Sequence, residues 1–357
     1  MCSLSERNGH PRAECRRQLD VGDPDRNSQQ KLFLFCLDSR LPARSATPLQ
    51  AGAGMTKRRA HNDKILTMEN RKTIKILGTK VDCLTLPQAL RRIVDLVRGR
   101  KNYYIVTPNP EMVMYADSHP WFKEVLNNAD LALADGVGLQ WAAKYLSFPL
   151  TKIPVLKQVQ EFFQFIFTLP LVVLAPKLLN VIPERLTGAD MVWEIAKLAS
   201  ERDYRIFLLG AGPGVALKAA RTMQALYPQL NVVEIMVGPP YESQEEVIRA
   251  IQQTKPQFIF LAFPAEEQMR WMRDELPKLQ DVIAIGIGGA LDFIAGGTAI
   301  NAGQDKSPAK RAPEWMRERG LEWFYRYITQ PWRKKRIQTA TIDFVKKVRQ
   351  YKAESCT

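Results

Sequence analysis

Residues 205–214 read Arg-Ile-Phe-Leu-Leu-Gly-Ala-Gly-Pro-Gly, and this stretch gives the strongest indication of the fold class. Its run of apolar residues predicts a short strand that is buried on both faces. The glycines that follow predict a tight turn, and residues 215–226 continue with a helical pattern. A buried strand that leads through a turn into a helix is typical of a parallel sheet, because parallel strands need a crossover connection.

The same alternation of short apolar runs and helices extends along most of the chain. Helices are predicted at Leu86–Arg98 and Pro110–Ala116. The other predicted strands are all short and rich in aliphatic residues: Thr73–Val81 (one strand or two), Tyr103–Val106, Leu131–Ala134, Val232–Met236, Phe258–Ala262 and Val282–Ile285. We therefore predict an α/β fold, a Rossmann-like parallel sheet with helices on both faces, followed by a C-terminal basic helical appendage.

Composition and charge divide the chain into three parts. With 357 residues, 46% hydrophobic and 25% charged, the chain is not collagen-like, a disulfide scaffold or wholly disordered. The formal net charge is +14, and residues 306–352 carry 14 basic side chains against 4 acidic ones, whereas residues 71–305 carry 25 against 24. We expect an α/β domain at 71–305 and a basic appendage at 306–352. An appendage of this charge suits phosphates or an anionic membrane, and no nucleic-acid partner is expected.

Residues 1–70 are rich in Arg, Asp, Ser, Gln and Pro and are predicted to be a disordered tail without a secretion signal. Met55 and Met68 precede the first patterned segment, so a start downstream of Met1 is an alternative interpretation. The five cysteines show no CxxC spacing, and there are three histidines. We therefore expect no metal site, no cofactor and a reducing, cytoplasmic location.

Residues 146–183 interrupt the alternation of strands and helices. They contain five prolines, and residues 162–176 carry no charged side chain. The apolar run is too short for a spanning helix and is broken by Pro170. Two interpretations stay open: an apolar, membrane-facing insertion (a kinked interfacial helix or a shallow re-entrant hairpin), or a buried helical hairpin.

Polar residues and glycines gather where the predicted strands end. Thr107 and Asn109 follow one strand and Asp135 follows the next. Because the carboxyl ends of parallel strands meet at one edge of a sheet, we expect these side chains to share a site. The glycines that could bring backbone N–H groups close to a nucleotide phosphate are Gly210, Gly212, Gly286, Gly288 and Gly289.

Two aspartates at these strand ends have alternative interpretations. Asp135, at the mouth of the sheet, is a candidate general base because partial desolvation raises the pKa of a carboxylate, but Asp-Gly is also a common turn pair. Asp292 would accept hydrogen bonds from a ribose or cap the following helix. The 210–214 loop departs from the dinucleotide fingerprint at Val215, so a structural tight turn is as well supported as a ligand loop.

An ordered set of motifs carries a family resemblance. The motifs are Thr107-Pro108-Asn109-Pro110-Glu111, Asp135-Gly136-Val137-Gly138, Glu184-Arg185-Leu186-Thr187-Gly188-Ala189-Asp190, Gly286-Ile287-Gly288-Gly289-Ala290-Leu291-Asp292, Arg311-Ala312-Pro313-Glu314-Trp315 and Gly320-Leu321-Glu322-Trp323-Phe324-Tyr325-Arg326. Over roughly residues 74–340, the chain resembles the WecG/TagA/CpsF family of bacterial glycosyltransferases.

The resemblance implies an activity and its partners. It implies an inverting transfer that requires no metal, from a UDP-sugar donor to a polyprenyl-diphosphate-linked sugar, in the synthesis of a cell-surface polysaccharide or wall polymer. The sugar would be N-acetylmannosamine or a relative. The enzyme would be peripheral on the inner face of the plasma membrane, with an anionic membrane surface as a partner. A homo-oligomer stays open.

The resemblance also implies roles for individual residues. Asp135 matches the base that deprotonates the acceptor hydroxyl. The residues expected to bind substrate are Thr107, Asn109, Arg185, Glu266, Arg311 and Arg326. Glu266 stands where the family has Gln, which brings a negative charge near a diphosphate. Arg311 and Arg326 belong to an appendage that closes over the site, and Arg333 and Arg336 match its later basic positions.

The last helix has a second apolar pattern. Ile337, Ala340, Phe344 and Val348 recur at helical spacing after the basic residues 333–336. This pattern predicts a helix lying on an anionic leaflet, with packing against its own domain as the alternative.

Two functional alternatives to the glycosyltransferase are also considered. One is a non-catalytic, membrane-associated nucleotide-binding protein. The other is a nucleotide-dependent oxidoreductase, which the broken fingerprint disfavours.

Overall fold

The structure is a computed structural model, and it describes residues 72–296 and 312–355. The predictions made for residues 1–70 and for Arg311 concern positions outside these ranges.

Among the described residues, six parallel strands form the main sheet in the order β4-β3-β8-β7-β5-β6. The strands are β3 (Tyr103–Val106), β4 (Leu131–Ala132), β5 (Arg205–Gly210), β6 (Asn231–Met236), β7 (Phe258–Ala262) and β8 (Ile283–Gly286). Each lies within the predicted run or differs from it by one residue at one end, except β8, which is displaced by one residue at both ends. The parallel sheet predicted from the sequence is therefore confirmed.

The segment Thr73–Val81 forms a separate antiparallel hairpin of β1 (Thr73–Ile76) and β2 (Thr79–Asp82). The buried Asp82 carboxylate at its end accepts a hydrogen bond from the backbone N–H of Ala132, at 2.7 Å. This bond fixes the hairpin beside β4, the edge strand of the sheet.

Helices cover the sheet and continue into the C-terminal segment. They are α1 (Leu86–Gly99), α2 (Pro110–Ser118), α3 (Pro120–Asn127), α4 (Val137–Ser147), α5 (Pro154–Thr168), α6 (Leu171–Leu174), α7 (Gly188–Arg202), α8 (Val215–Leu226), α9 (Gln244–Thr254), α10 (Ala265–Asp274), α11 (Ala290–Ile294), α12 (Glu314–Glu318), α13 (Glu322–Thr329), α14 (Lys334–Gln338) and α15 (Phe344–Ser355). One π-helical stretch, Thr339–Asp343, joins α14 to α15.

Both faces of the sheet are buried, as the continuous apolar runs predict. In β7, Phe258 and Phe260 contribute to the core on one face, whereas Ile259 and Leu261 contribute to the core on the other. Side chains alternate between the faces of a strand, so a strand covered on both faces needs apolar residues at every position. The α/β class with helices on both faces is confirmed.

The strands β3 and β8 are neighbours, and the helices that follow them leave toward opposite faces of the sheet. Met112 of α2 packs in one core and Leu291 of α11 packs in the other. Such a reversal opens a crevice at the carboxyl ends of the two strands, which is where open α/β sheets bind ligands.

The apolar stripe of the last helix is not open to lipid, and that expectation was wrong. Phe344 and Val348 are fully buried, and Ile337 is nearly so. Phe344 and Val348 pack in one cluster with residues of α4 and of the β1–β2 hairpin. The alternative interpretation, a helix packed on its own domain, is the one that the structure supports.

The segment 146–183 has the opposite outcome. It forms α5, a turn at Pro170, and α6, and much of its apolar surface is exposed, as at Val155 (76%), Phe167 (69%) and Leu174 (79%). The buried-hairpin interpretation is therefore wrong. In the ranges described, no helix has both the length and the apolar character that crossing a membrane requires.

Candidate active site

Asp135 lies just beyond the carboxyl end of β4. Its backbone N–H donates to the carbonyl oxygen of Pro108, which follows β3, at 2.9 Å. Gly136 then has a φ of +112°, a conformation that L side chains rarely adopt, and the chain turns there into α4. The backbone thus holds Asp135 beside the Thr107–Glu111 motif, at the edge where the sequence predicts the site.

Four charged side chains, those of Glu322, Arg185, Arg326 and Asp190, influence the pKa of the Asp135 carboxyl group. The backbone N–H of Leu186 donates to the carbonyl oxygen of Ala134 at 2.9 Å, which brings Arg185 into the site. Burial raises the pKa of Asp135 to about 6, and the negative charges of Glu322 and Asp190 add to this rise. The Arg185 and Arg326 guanidinium groups oppose it. At neutral pH the group is mostly ionised, yet it accepts a proton more readily than an ordinary aspartate.

Helix α13 of the C-terminal segment supplies two of these charges. Arg326 forms an ion pair with Glu322 one turn earlier, at 2.5 Å, and its guanidinium lies 5.3 Å from the centre of the Phe293 ring in α11. The same helix therefore touches the end of the Gly286–Asp292 motif and approaches Asp135. The structure brings Arg326 to the edge of the sheet, as the resemblance implies, and its role in binding stays a prediction.

Two further arginines of this segment also face the domain. Arg336 makes two hydrogen bonds with the Glu111 carboxylate, at 2.7 and 3.0 Å. Arg333 is half-buried near Asp292, and its pKa is lowered by burial and by the neighbouring Arg326 and Arg336 cations. The basic residues 333–336 were expected to form one membrane-facing cluster. The Arg336 side chain is paired with Glu111 but stays 60% exposed, so contact of the basic residues 333–336 with an anionic membrane stays a prediction.

Thr107 and Asn109 shape the same edge. The buried Thr107 hydroxyl donates to the carbonyl oxygen of Gly286, at 3.1 Å, and so joins the ends of β3 and β8. The Asn109 side-chain oxygen accepts from the backbone N–H of Met112, at 2.9 Å, and caps α2. Both side chains have structural partners, and their contact with substrate stays a prediction.

The first glycine turn, residues 210–214, is fixed by contacts with the protein's own backbone. A Cβ at Gly210, whose φ is +101°, would lie 2.9 Å from the backbone carbonyl group of Ala262, so only glycine fits there. The carbonyl oxygen of Gly212 accepts from the N–H of Val215, at 3.0 Å, which closes the turn. These contacts favour the tight-turn interpretation of residues 210–214.

The second glycine turn lies in the crevice. A Cβ on Gly188 would come within 3.2 Å of the carbonyl oxygen of Ile287, so the Glu184–Asp190 motif touches the turn that contains Gly286, Gly288 and Gly289. This contact brings the turn close to the loop that carries Arg185.

Asp292 is not the cap of α11, because Gly289 occupies the N-cap position of that helix. Burial raises the pKa of the Asp292 carboxyl, and the Arg333 cation opposes the rise. The capping alternative is therefore wrong, whereas the interaction with a ribose stays a prediction.

Glu266 is half-buried at the start of α10 and forms an ion pair with Arg270 at 2.7 Å. Arg270 and a hydrogen bond with Tyr115 lower the pKa of Glu266. The extra negative charge is therefore compensated within its own helix, and a role for Glu266 in binding substrate stays a prediction.

Sequence reasoning missed Glu322, Asp190 and Glu111 as members of the site. Glu322 lies four residues before Arg326, a spacing that places both side chains on one face of a helix. That spacing could have indicated the ion pair. The family resemblance places Arg326 over the site, but no local sequence pattern indicates that Glu322 of the same helix influences Asp135.

Comparison with known proteins agrees with this geometry. The model of the glycosyl transferase WecG/TagA/CpsF family matches residues 74–167 and 168–356. Among curated proteins, the N-acetylglucosaminyldiphosphoundecaprenol N-acetyl-beta-D-mannosaminyltransferases of Staphylococcus aureus strains NCTC 8325 / PS 47, COL and MSSA476 are each 27% identical over 268 residues, covering 74% of this chain and 88% of the relative. The chain belongs to the WecG/TagA/CpsF family and is a glycosyltransferase.

Proposed function

We propose that this glycosyltransferase moves N-acetylmannosamine, or a closely related sugar, from a UDP donor to a polyprenyl-diphosphate-linked N-acetylglucosamine. The printed name of the Staphylococcus aureus relatives contains both sugars and the undecaprenyl diphosphate. The observation that carries the proposal is Asp135, held at the carboxyl edge with a pKa raised to about 6 beside Arg185 and Arg326. A base and two cations are what transfer from a sugar diphosphate requires.

The chemical step uses Asp135 as a general base. Its carboxylate takes the proton from the acceptor hydroxyl as that oxygen forms a bond to the anomeric carbon of the donor. The bond from that carbon to the UDP oxygen breaks, and the electron pair leaves with UDP. Attack on the face opposite the leaving group inverts the anomeric configuration. General-base assistance of this kind contributes about 10²–10⁴-fold to the rate.

Arginines are proposed to stabilise the leaving diphosphate in place of a metal ion. Arg185 and Arg326 lie close enough to influence the Asp135 carboxylate, and Arg333 follows on the same C-terminal segment. Guanidinium groups can bind phosphate oxygens through two parallel hydrogen bonds. Within residues 72–296 and 312–355, no three His, Cys, Asp or Glu side chains are grouped so that they could hold a metal ion.

The nucleotide end of the donor is proposed to bind along the second glycine turn. The Ile287 N–H donates to the carbonyl oxygen of Leu261, so the backbone N–H groups of Gly288 and Gly289 are the candidates for the phosphates. Asp292 is a candidate to accept a hydrogen bond from the ribose. Thr107 and Asn109 would support this pocket from the adjacent strand end. The contact of Thr107 with Gly286 O supports a shared pocket.

The lipid part of the acceptor implies work at a membrane surface, and we place the enzyme on the cytoplasmic face. Exposed aromatic side chains on the C-terminal segment support a position at the membrane surface, among them Trp315 (55%), Phe324 (42%) and Trp332 (51%). Aromatic rings of this kind are enriched at membrane interfaces.

The test is a transfer assay on the purified full chain, with UDP-N-acetylmannosamine and a short-chain lipid-diphosphate-linked N-acetylglucosamine. We expect UDP release, a disaccharide product of inverted configuration, and activity that persists in EDTA. Loss of activity in EDTA that added Mg²⁺ restores would contradict the metal-independent mechanism. UDP binding without product would favour a non-catalytic nucleotide-binding protein instead.

The matched variant is Asp135→Asn, which keeps the shape of the side chain but removes its capacity to accept a proton. We expect turnover to fall by about 10²–10⁴-fold with unchanged UDP affinity and melting temperature. Turnover equal to that of the wild type would exclude Asp135 as the base.

A further inference from the structure

Helix α5 presents its polar side to the protein. The Glu161 carboxylate accepts two hydrogen bonds from Arg349 of α15, at 2.8 and 3.0 Å, and also bonds the Tyr145 hydroxyl of α4. One turn later, Gln164 accepts from the buried Lys352 ammonium at 2.5 Å. The polar face of this helix is therefore satisfied inside the fold rather than by water.

The opposite side of the helix is apolar and exposed. Val155, Phe163 and Phe167 are exposed by 76%, 51% and 69%, and Leu174 of α6 is exposed by 79%. A helix on the surface of a soluble protein normally has the reverse arrangement. Contiguous apolar surface of this kind marks an interaction site.

The charges around this face have one sign. Residues 144–183 contain four lysines, Lys144, Lys152, Lys157 and Lys177, and one acidic residue, Glu161. Glu161 is bound to Arg349 on the inner side. Lys152 and Lys177, at the two ends of the hairpin, are exposed. The rim of the apolar face is therefore cationic.

The α5–α6 face consists of residues 155–178 except for the polar side chains that point inward. We infer that this face lies in the interface of an anionic lipid bilayer. An apolar face with lysines at its edge is the arrangement by which interfacial helices bind anionic leaflets, with the apolar side about 5–10 Å deep. The fifteen residues of α5 extend over about 22 Å, less than the roughly 30 Å of a hydrocarbon core, so the helix suits the surface and not a crossing.

A second copy of the chain is the less favoured occupant. In a two-fold dimer the same face meets itself, which would bring one lysine rim toward the other. Anionic headgroups instead offer opposite charges at the depth where the lysines lie. The inference rests on the proposed function only in placing the enzyme at a membrane, and it assigns a further contact surface beside the exposed aromatic residues of the C-terminal segment.

The test is flotation of the full chain with vesicles of phosphatidylcholine containing about 30 mol% phosphatidylglycerol. We compare Phe163→Ser/Phe167→Ser with the matched control Leu217→Ser/Leu226→Ser, which removes two exposed leucines of α8. We expect the phenylalanine variant to bind at least about tenfold more weakly and the control to bind like wild type. Lys152→Glu/Lys177→Glu should weaken binding to these vesicles in low salt more than in high salt.

The outcomes separate this inference from the proposed function. Equal flotation of the phenylalanine variant and wild type would overturn the inference. It would also be overturned if neither protein binds vesicles and the substitutions dissociate a dimer that the wild type forms. Transfer to the short-chain acceptor in solution should remain unchanged in the variant, which also shows that it folds. Vesicle binding through this face by a chain that transfers no sugar would contradict the proposed function alone.

Discussion

The carboxyl edge of the sheet and the α5–α6 face differ in how their charged groups are placed and balanced. At the edge, Asp135 is drawn out of water among arginines and carboxylates, and burial raises its pKa to about 6. On α5, the Glu161 carboxylate is also turned inward, but Arg349 neutralises it, and Gln164 beside it accepts a hydrogen bond from Lys352. The apolar side of α5 faces out. The charges around Asp135 leave its pKa raised, which suits a group that accepts a proton. Charge beneath α5 is paired, which attaches the helix to the domain.

The largest difference between the two regions is expected on removing a guanidinium. Arg326→Ala should lower kcat/KM by about tenfold to a hundredfold, because a charge-assisted hydrogen bond contributes about 1.5–3 kcal/mol. Arg319→Ala is the matched control, since that exposed arginine lies on the same segment, seven residues earlier. Steady-state kinetics with the short-chain acceptor measure both. An equal effect of the two substitutions would show that only the net charge of the segment matters.

An intermediate effect is expected beneath α5, where charge is structural. Glu161→Gln weakens the pair with Arg349, whose side chain is 39% exposed, so we expect a loss of about 1 kcal/mol in the free energy of unfolding. Urea denaturation measures this loss, and transfer by the folded variant should be unchanged. The control is Asp95→Asn, which removes an exposed pair with Arg98. If both substitutions leave the urea midpoint unchanged, the pair does not attach the helix.

The smallest effect tests how α13 adjusts the base. Glu322→Gln removes a negative charge that raises the pKa of Asp135, so the pKa should fall by a fraction of a unit. The acid limb of the pH–rate profile should therefore move to lower pH, whereas Glu318→Gln, an exposed neighbour, should leave it in place. A shift to higher pH would contradict the proximity of Glu322 to Asp135.

The sheet and its catalytic edge could be predicted because they depend on local pattern. Continuous apolar runs such as 258–262 have no polar face to expose, and residues that follow parallel strands must meet at one edge. The positions of Thr107, Asn109 and Asp135 after parallel strands therefore predict that they share one edge of the sheet.

The orientation of the amphipathic helices could not be predicted in the same way. Both α5 and α15 carry apolar residues at helical spacing, yet Phe344 is 1% exposed and Phe167 is 69% exposed. An apolar stripe indicates that one face of a helix avoids water, but it does not indicate whether protein or lipid covers that face. The deciding contacts join residues almost two hundred positions apart, such as Glu161 and Arg349. Arg336 and Glu111 are 225 positions apart.

The pH dependence of transfer tests whether Asp135 is a general base that burial makes stronger. Because only the ionised carboxylate accepts the acceptor proton, kcat/KM should rise with pH and reach half its plateau near the Asp135 pKa of about 6. Asp135→Asn should show low activity without this limb. An acid limb near pH 4, the ordinary range of an aspartate, or an unchanged limb in Asp135→Asn, would contradict the account.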